Sequence, residues 1–421
     1  MPRVSSGPVI ALIDGVHHPS AVRDALDRLD RERGLAGVVF CGGEEKVSGD
    51  MLAAPEGHWG RPVETDPDPA AAIRRLVTGT SARAVVDLAD EPVLPPAAKL
   101  RLAALALDLG VPYEAPGTLL TPPRFELVQF DGPKLAVIAT GKRTGKTAMA
   151  GHWAALLRDR GVDPVVVSMG RGGPPEPQLA EPGITLDELL EMAAAGRHAA
   201  SDYLEQTAVA GVRAVGCRRV GGGLAGEPYD SNVPAGAELA ASLSPGAIVF
   251  EGSGSTLPPV EVDHTVCIVG QEPEALGALG AYRLWRSELA LLMELGGEAP
   301  AWGPELEGIP ALRCTLRPEP AEPIPGGARV AVFSTGTGVC ADIDPLVTSE
   351  ALSNRAQLAR DLERADREGC DLYLTELKAA AIEAVAVHAR ERGARVVFIR
   401  NRPVGIGADL DAALLELSGH A

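Results

Sequence analysis

Leu135-Ala-Val-Ile-Ala-Thr-Gly-Lys-Arg-Thr-Gly-Lys-Thr147 decides how this chain is read. Its apolar start predicts a buried parallel strand. A loop with two glycines follows, and the residues from Thr147 to Arg158 predict a helix. Strand, Gly-Lys-Thr loop and helix together make the context of a phosphate-binding P-loop. Backbone N–H groups and the helix N-terminus hold phosphate oxygens in such a loop. Lys146 is placed to neutralise β- and γ-phosphates, and the Thr147 hydroxyl to ligate Mg²⁺. Thr140 stands where the usual spacing has glycine, and the glycine has moved to Gly141. Lys142 and Arg143 add cations that suit a very anionic ligand. We assign Gly141, Lys142, Arg143, Thr144, Gly145, Lys146 and Thr147 to an ATP site. The plainer alternative is a glycine-containing turn before an ordinary helix.

Composition narrows the classes around this motif. The chain has 421 residues, enough for two or three domains with cores of their own. No apolar run approaches the roughly 20 residues a membrane span needs. The N-terminus enters a strand without a signal-peptide pattern, so we expect a cytoplasmic protein. Six cysteines at positions 41, 217, 267, 314, 340 and 370 contain no C-x-x-C pair. Buried free thiols are expected, and a cysteine metal site is not. A net charge of −18 argues against nucleic acid and anionic membranes as partners. Arginines gathered in glycine-rich loops are informative against that acidic background.

Alternating strand and helix patterns predict an α/β fold, a P-loop domain with a parallel sheet flanked by smaller Rossmann-like α/β units. We divide the chain into an N-terminal α/β domain (1–128), a P-loop ATP-binding domain (129–300) and a C-terminal α/β unit (301–421). Strands are expected at 9–13, 35–40, 84–88 and 111–114 in the first. The second should hold strands at 165–169, 214–220, 247–250 and 264–269, then a long helix over 276–295. Residues 297–325 are rich in proline and read as a connection. The third carries strands at 329–333, 371–374 and 395–399. Its loop Ser334-Thr-Gly-Thr-Gly338 is a weak phosphate-loop candidate, because no lysine follows.

Ligands of parallel sheets sit beyond the C-terminal ends of the strands, so strand-end loops supply the candidate site. Asp14, His17 and His18 follow the first strand and read either as ligands or as a helix-capping loop. Arg171, in Gly170-Arg-Gly-Gly-Pro-Pro-Glu-Pro177, can clamp phosphate through two nitrogens. Glu176 in the same loop can reach Mg²⁺ or water. The alternative is a plain surface loop. Arg218 and Arg219 are adjacent on a strand and point to opposite faces, so one of them faces the ligand unless the strand has already ended there; a structural salt bridge is the competing reading. Glu251, at the tip of an apolar strand, stands where a second Mg²⁺ ligand or water-orienting acid belongs; a helix-capping acid is the competing reading.

The central domain resembles the dethiobiotin-synthetase-like branch of P-loop enzymes, through its compact loop and Glu251-Gly-Ser-Gly254. A closer resemblance spans nearly the whole chain. Ala11-Leu-Ile-Asp-Gly-Val-His-His-Pro19, Thr140-Gly-Lys-Arg-Thr-Gly-Lys-Thr147, Met169-Gly-Arg-Gly-Gly-Pro-Pro-Glu-Pro177 and Thr375-Glu-Leu-Lys-Ala-Ala-Ala381 together look like the cyclic 2,3-diphosphoglycerate synthetase family. That resemblance implies conversion of 2,3-diphosphoglycerate to its cyclic pyrophosphate with ATP and Mg²⁺, releasing ADP and phosphate. A small polyanionic substrate of this kind needs cations beyond those on ATP. Arg171, Arg218, Arg219, His198 and Lys378 are available, with Lys146, Lys142 and Glu251 at the chemistry and Thr147, Glu251 and Glu176 for the metal. A homodimer is expected. Two other readings fit the same residues: an ATP-dependent kinase or ligase on another small phosphorylated acid such as 2-phosphoglycerate, and a P-loop ATPase switch.

Overall fold

Runs of Val, Ile, Leu and Ala build both sheets of the protein. The computed structural model describes residues 6–271, 277, 279–295, 306, 308–336, 340 and 342–420. Two compact units emerge: residues 1–123 with 276–286, and residues 124–275 with 287–421.

The first unit is a five-stranded sheet of β1 (Val9–Ile13), β2 (Leu35–Phe40), β3 (Ala84–Asp87), β4 (Tyr113–Ala115) and β5 (Thr118–Leu120). Their order is β2-β1-β3-β4-β5, parallel except for the β4–β5 hairpin. β1 is buried along its whole length. Helices Pro19–Arg33, Pro69–Gly79 and Pro96–Asp108 each begin with proline, whose missing N–H has no intrahelical partner to lose there.

The second unit is one sheet. Its strands are β6 (Lys134–Ala139), β7 (Pro164–Gly170), β8 (Gln178–Ala180), β9 (Arg213–Val220), β10 (Asp230–Ser231), β11 (Ala247–Glu251), β12 (His264–Val269), β13 (Leu289–Met293), β14 (Ala311–Pro320), β15 (Val330–Phe333), β16 (Val347–Ser349), β17 (Leu372–Thr375) and β18 (Arg395–Gly405). The order runs β10-β9-β7-β11-β6-β12-β13-β14-β18-β17-β15-β16, with β8 also on β9. Pairing is parallel from β9 to β14 and again from β18 to β16. β14 and β18 pair antiparallel over seven residues each. The helix Lys146–Asp159 buries Met149, Ala150, Trp153, Ala154 and Leu157. These pack in one core with Leu135, Val137, Val166, Val249, Leu377, Ile382 and Leu414. Trp153 Nε1 donates to the Leu414 carbonyl at 2.9 Å.

Two expectations are corrected. The long helix over 276–295 is a short helix, Gly280–Trp285, followed by the buried strand β13. The proline-rich stretch 297–325 contains the ten-residue strand β14. All six cysteines are buried and free, as expected. Among the described residues no helix is long and apolar enough to cross a membrane.

Candidate active site

β6 delivers the chain to the loop at its buried end. Gly145 then starts the helix at φ +93° with no side chain capping it. A Cβ at Gly145 would lie 3.2 Å from Leu316 and 3.3 Å from Met293, so both the backbone angle and the space call for glycine. The uncapped first turn presents its N–H groups to an incoming anion. Arg143 also has positive φ, +56°, a strain that clusters at binding sites. Lys146 is buried and folds back over the loop, donating to the Gly141 carbonyl at 2.8 Å and lying 3.4 Å from Thr144 Oγ1. Burial pushes its ammonium down to about 8, and the Glu251 charge opposes this.

Glu251, at the tip of β11, is 2% exposed. Thr147 Oγ1 donates to its Oε1 at 2.5 Å; Ser168 Oγ and Gln206 Nε2 donate to Oε2 at 3.0 and 3.3 Å. Burial pushes this carboxyl up to about 8, the Asp202 charge adding to the shift and the two hydroxyl donors opposing it. A cation among these oxygens would ionise it. Asp202 lines the same cavity as Thr147 and Glu251. Mg²⁺ is characteristically held by one or two carboxylates with water and substrate phosphates. Thr147, Glu251 and Asp202 fit that donor set, and among the described residues no cluster of three His, Cys, Asp or Glu forms a protein-only cage.

The cavity holds about 580 Å³. On one side the guanidiniums of Arg171 and Arg219 and the side-chain stem of Lys142 come together at Gly254, which has φ +64°. A Cβ there would lie 2.7 Å from Arg171 Nη2, 3.5 Å from Lys142 Cγ and 3.7 Å from Arg219 Nη2. Arg219 is buried and donates to the carbonyls of Gly221 (2.6 Å) and Ser253 (2.9 Å). Burial, with the Arg171 charge beside it, holds its guanidinium below the ordinary value. Thr335, Gly336, Ser353, Lys378 and Ala379 complete the lining. Lys378 Nζ lies 3.8 Å from Glu205 Oε1. Burial lowers this ammonium, and the carboxylates of Glu205, Glu376, Asp202 and Glu251 outweigh it and hold it above its ordinary value.

Lys142, Arg143, Thr144, Gly145, Lys146, Thr147, Arg171, Glu251 and Lys378 therefore share one cavity. Gly141 contributes its carbonyl to Lys146, and Arg219 approaches through Gly254. Arg218, His198 and Glu176 do not line this cavity. Strand alternation turns Arg218 outward to solvent. His198 is exposed beyond the helix Leu186–Ala194. Glu176 is exposed in a loop that Asn232 pins at the carbonyls of Pro174 and Pro175. Asp202, Glu205, Gln206 and Ser168 were missed in the sequence. Their one local signal is Glu205-Gln206, a polar pair following the apolar Tyr203-Leu204.

A parallel sheet with Lys146 and Thr147 after one strand and Glu251 at the tip of its neighbour defines a P-loop nucleotide-binding enzyme. Family models for cyclic 2,3-diphosphoglycerate synthetase match in three places: its N-terminal domain at residues 8–120, its P-loop domain at 134–298 and its C-terminal domain at 341–402. The chain belongs to the cyclic 2,3-diphosphoglycerate synthetase family and is a synthetase. The relative of that name from Rubrobacter xylanophilus is 43% identical over 97% of this chain and 96% of its own. Those from Thermococcus kodakarensis and Methanothermobacter thermautotrophicus are 37% and 33% identical, each over 97% of this chain and over 98% and 95% of their own.

Proposed function

We propose that this enzyme uses ATP and Mg²⁺ to close 2,3-diphosphoglycerate into its cyclic pyrophosphate, releasing ADP and phosphate. The convergence of Lys142, Arg171 and Arg219 at Gly254 carries the reading. None of these three, nor Arg143, forms an ion pair among the described residues. Lys146 and the helix N-terminus suffice for a nucleotide. The further cations suit a second ligand with several negative charges. The names of the relatives supply the particular polyanion.

In this reading Lys146 and the first-turn N–H groups hold the β- and γ-phosphates. Thr147, Glu251 and Asp202 would hold Mg²⁺, which would supply neutralisation of the phosphate charge. Arg171, Arg219 and Lys142 hold one substrate phosphate in line with the γ-phosphorus. The bond from γ-phosphorus to the bridging oxygen breaks, a bond to the substrate phosphate oxygen forms, and ADP departs. An oxygen of the second substrate phosphate then attacks the activated phosphorus. The ring P–O–P bond forms as the former γ-phosphate leaves. The chain supplies no nucleophile; positioning and charge do the chemistry. Six free buried thiols suit a reducing cytoplasm, where we place the enzyme.

The test is ³¹P NMR of the protein with ATP, Mg²⁺ and 2,3-diphosphoglycerate. New upfield pyrophosphate signals, appearing with ADP and phosphate, are expected. ADP and phosphate with unchanged substrate would leave an uncoupled ATPase or switch. No ATP consumption would reject this substrate.

A further inference from the structure

We infer that Gln206 is a positioning residue for phosphoryl transfer, seated in a slot made by Gly151, and that its amide fixes Glu251 against Thr147. The inference rests on the reading that Thr147 and Glu251 serve the nucleotide.

Gln206 is 1% exposed. Its Nε2 donates to the Thr147 carbonyl at 2.9 Å and to Glu251 Oε2 at 3.3 Å. The Thr147 hydroxyl holds the other oxygen of the same carboxylate at 2.5 Å. Hydroxyl, carboxylate, amide and carbonyl thus close a ring through two elements, the first turn of the P-loop helix and the tip of β11. A carboxylate's terminal torsion is soft by itself. Here one oxygen is tied to the Thr147 side chain and the other to the Ser168 hydroxyl and to an amide tied to the Thr147 backbone, so rotation breaks a contact at either end.

The P-loop helix is shaped to admit this amide. Gly151 lies in the helix interior, one turn beyond Thr147, where glycine costs about 1 kcal/mol relative to alanine. A Cβ at Gly151 would stand 2.3 Å from Gln206 Oε1 and 3.0 Å from the Ala210 Cβ. No alanine fits while Gln206 keeps its place. Gln206 also opens a π-helical turn, Gln206–Ala210, that continues the short helix Asp202–Glu205. Such widened turns recur at functional sites. The preceding residue, Glu205, is buried 3.8 Å from Lys378, which holds the same end of the turn as Gln206. A buried amide at this crossing is costly unless its hydrogen bonds matter, and an apolar side chain would fill the same space.

Full-length Gln206→Ala, Gly151→Ala and the double variant separate positioning from space-filling. In Gln206→Ala we expect kcat to fall about 10- to 100-fold, the range for residues that orient a metal's ligands. KM for ATP should stay within about threefold, as for loss of an interaction that matters to the transition state. Gly151→Ala should reproduce the loss, because its methyl displaces the amide. The double variant relieves the clash with the amide but keeps the 3.0 Å approach to the Ala210 Cβ, so its melting temperature should exceed that of Gly151→Ala while its kcat stays as low. Recovery of kcat in the double variant would overturn the inference and leave Gln206 a space-filler. Calorimetry of ADP binding with and without Mg²⁺ gives a second readout independent of the substrate. Mg²⁺ should strengthen ADP binding less in Gln206→Ala than in the unaltered protein. An equal Mg²⁺ effect in both would overturn the inference. Failure of the unaltered protein to turn over 2,3-diphosphoglycerate would strike the substrate reading alone.

Discussion

Two loops leave two buried strands and treat their polar groups in opposite ways. After β1, Asp14 accepts from the backbone N–H groups of Val16 (2.9 Å), His17 (3.0 Å) and Asp90 (2.7 Å), and lies 2.8 Å from His17 Nδ1. Burial raises the Asp14 carboxyl, and these donors outweigh it and hold it below its ordinary value. His18 accepts from Ser20 N and caps the helix Pro19–Arg33. After β6 the pattern reverses. The helix that follows has no side-chain cap, and Lys142 and Arg143 in the loop form no ion pair among the described residues. Both loops are short, polar and glycine-containing in sequence. What separates them is whether the loop's charges are paired inside it, as Asp14 is with His17 and three backbone N–H groups, or left without a countercharge among the described residues, as Lys142 and Arg143 are.

The contrast can be broken in several places. Lys146→Ala should cost the most, about a thousandfold or more in turnover measured by ADP release, because it removes the charge on the transferring phosphoryl group. Retention of substantial turnover would move the site elsewhere. Arg171→Ala should raise KM for the phosphorylated acid about tenfold or more while leaving the ATP requirement within about threefold. Arg218→Ala, on the solvent face of β9, should change neither by more than about twofold. Equal losses from both would defeat the distinction between the two faces of that strand. Asp14→Asn should lower unfolding free energy by about 1–3 kcal/mol in urea titrations, the cost of leaving buried donors poorly paired, with kcat/KM of the folded protein unchanged. Activity lost without stability lost would make the β1 loop part of a site.

A further prediction concerns pH. Burial raises the Glu205 carboxyl from 4.5 to about 7, with the Lys378 charge opposing. Its folded value lies above its unfolded one, so the stability it contributes is full below pH 4.5 and is lost as pH rises through 7. Glu205→Gln should therefore flatten the fall in melting temperature between pH 5 and 8, a difference on the order of 2 kcal/mol. Parallel melting curves across that range check it; identical slopes would remove Glu205 as the source.

Much of the site was legible because it is local. The P-loop is contiguous, Glu251 ends an apolar run, and strand alternation separates buried Arg219 from exposed Arg218. What was hidden is either non-local or ambiguous. Gln206 meets Glu251 across 45 residues of sequence, and Gly151 explains itself only once Gln206 is in place. Leu289-Ala-Leu-Leu-Met293 continues a helical spacing and also suits a buried strand; the sheet, pairing it with β12 and β14, settles the matter. β14 looked like a connection because of its prolines. Pro318 and Pro320 lie beyond the residues that pair with β13 and face β18 alone, so their missing N–H groups leave no neighbour on the other side unbonded.

That β14–β18 pairing bears on how the molecule can be cut. β18 comes late in the sequence, yet it pairs with β14 from Cys314 to Pro320. A shortened chain that kept β14 and lost β18 would leave seven residues, Cys314 to Pro320, without their ladder partners, an open edge that invites pairing with another chain. The C-terminal segment is thus no detachable cassette. It covers one edge of β14 in the unit that carries the P-loop, so a truncation or chimaera that keeps both strands or discards both avoids leaving that edge open.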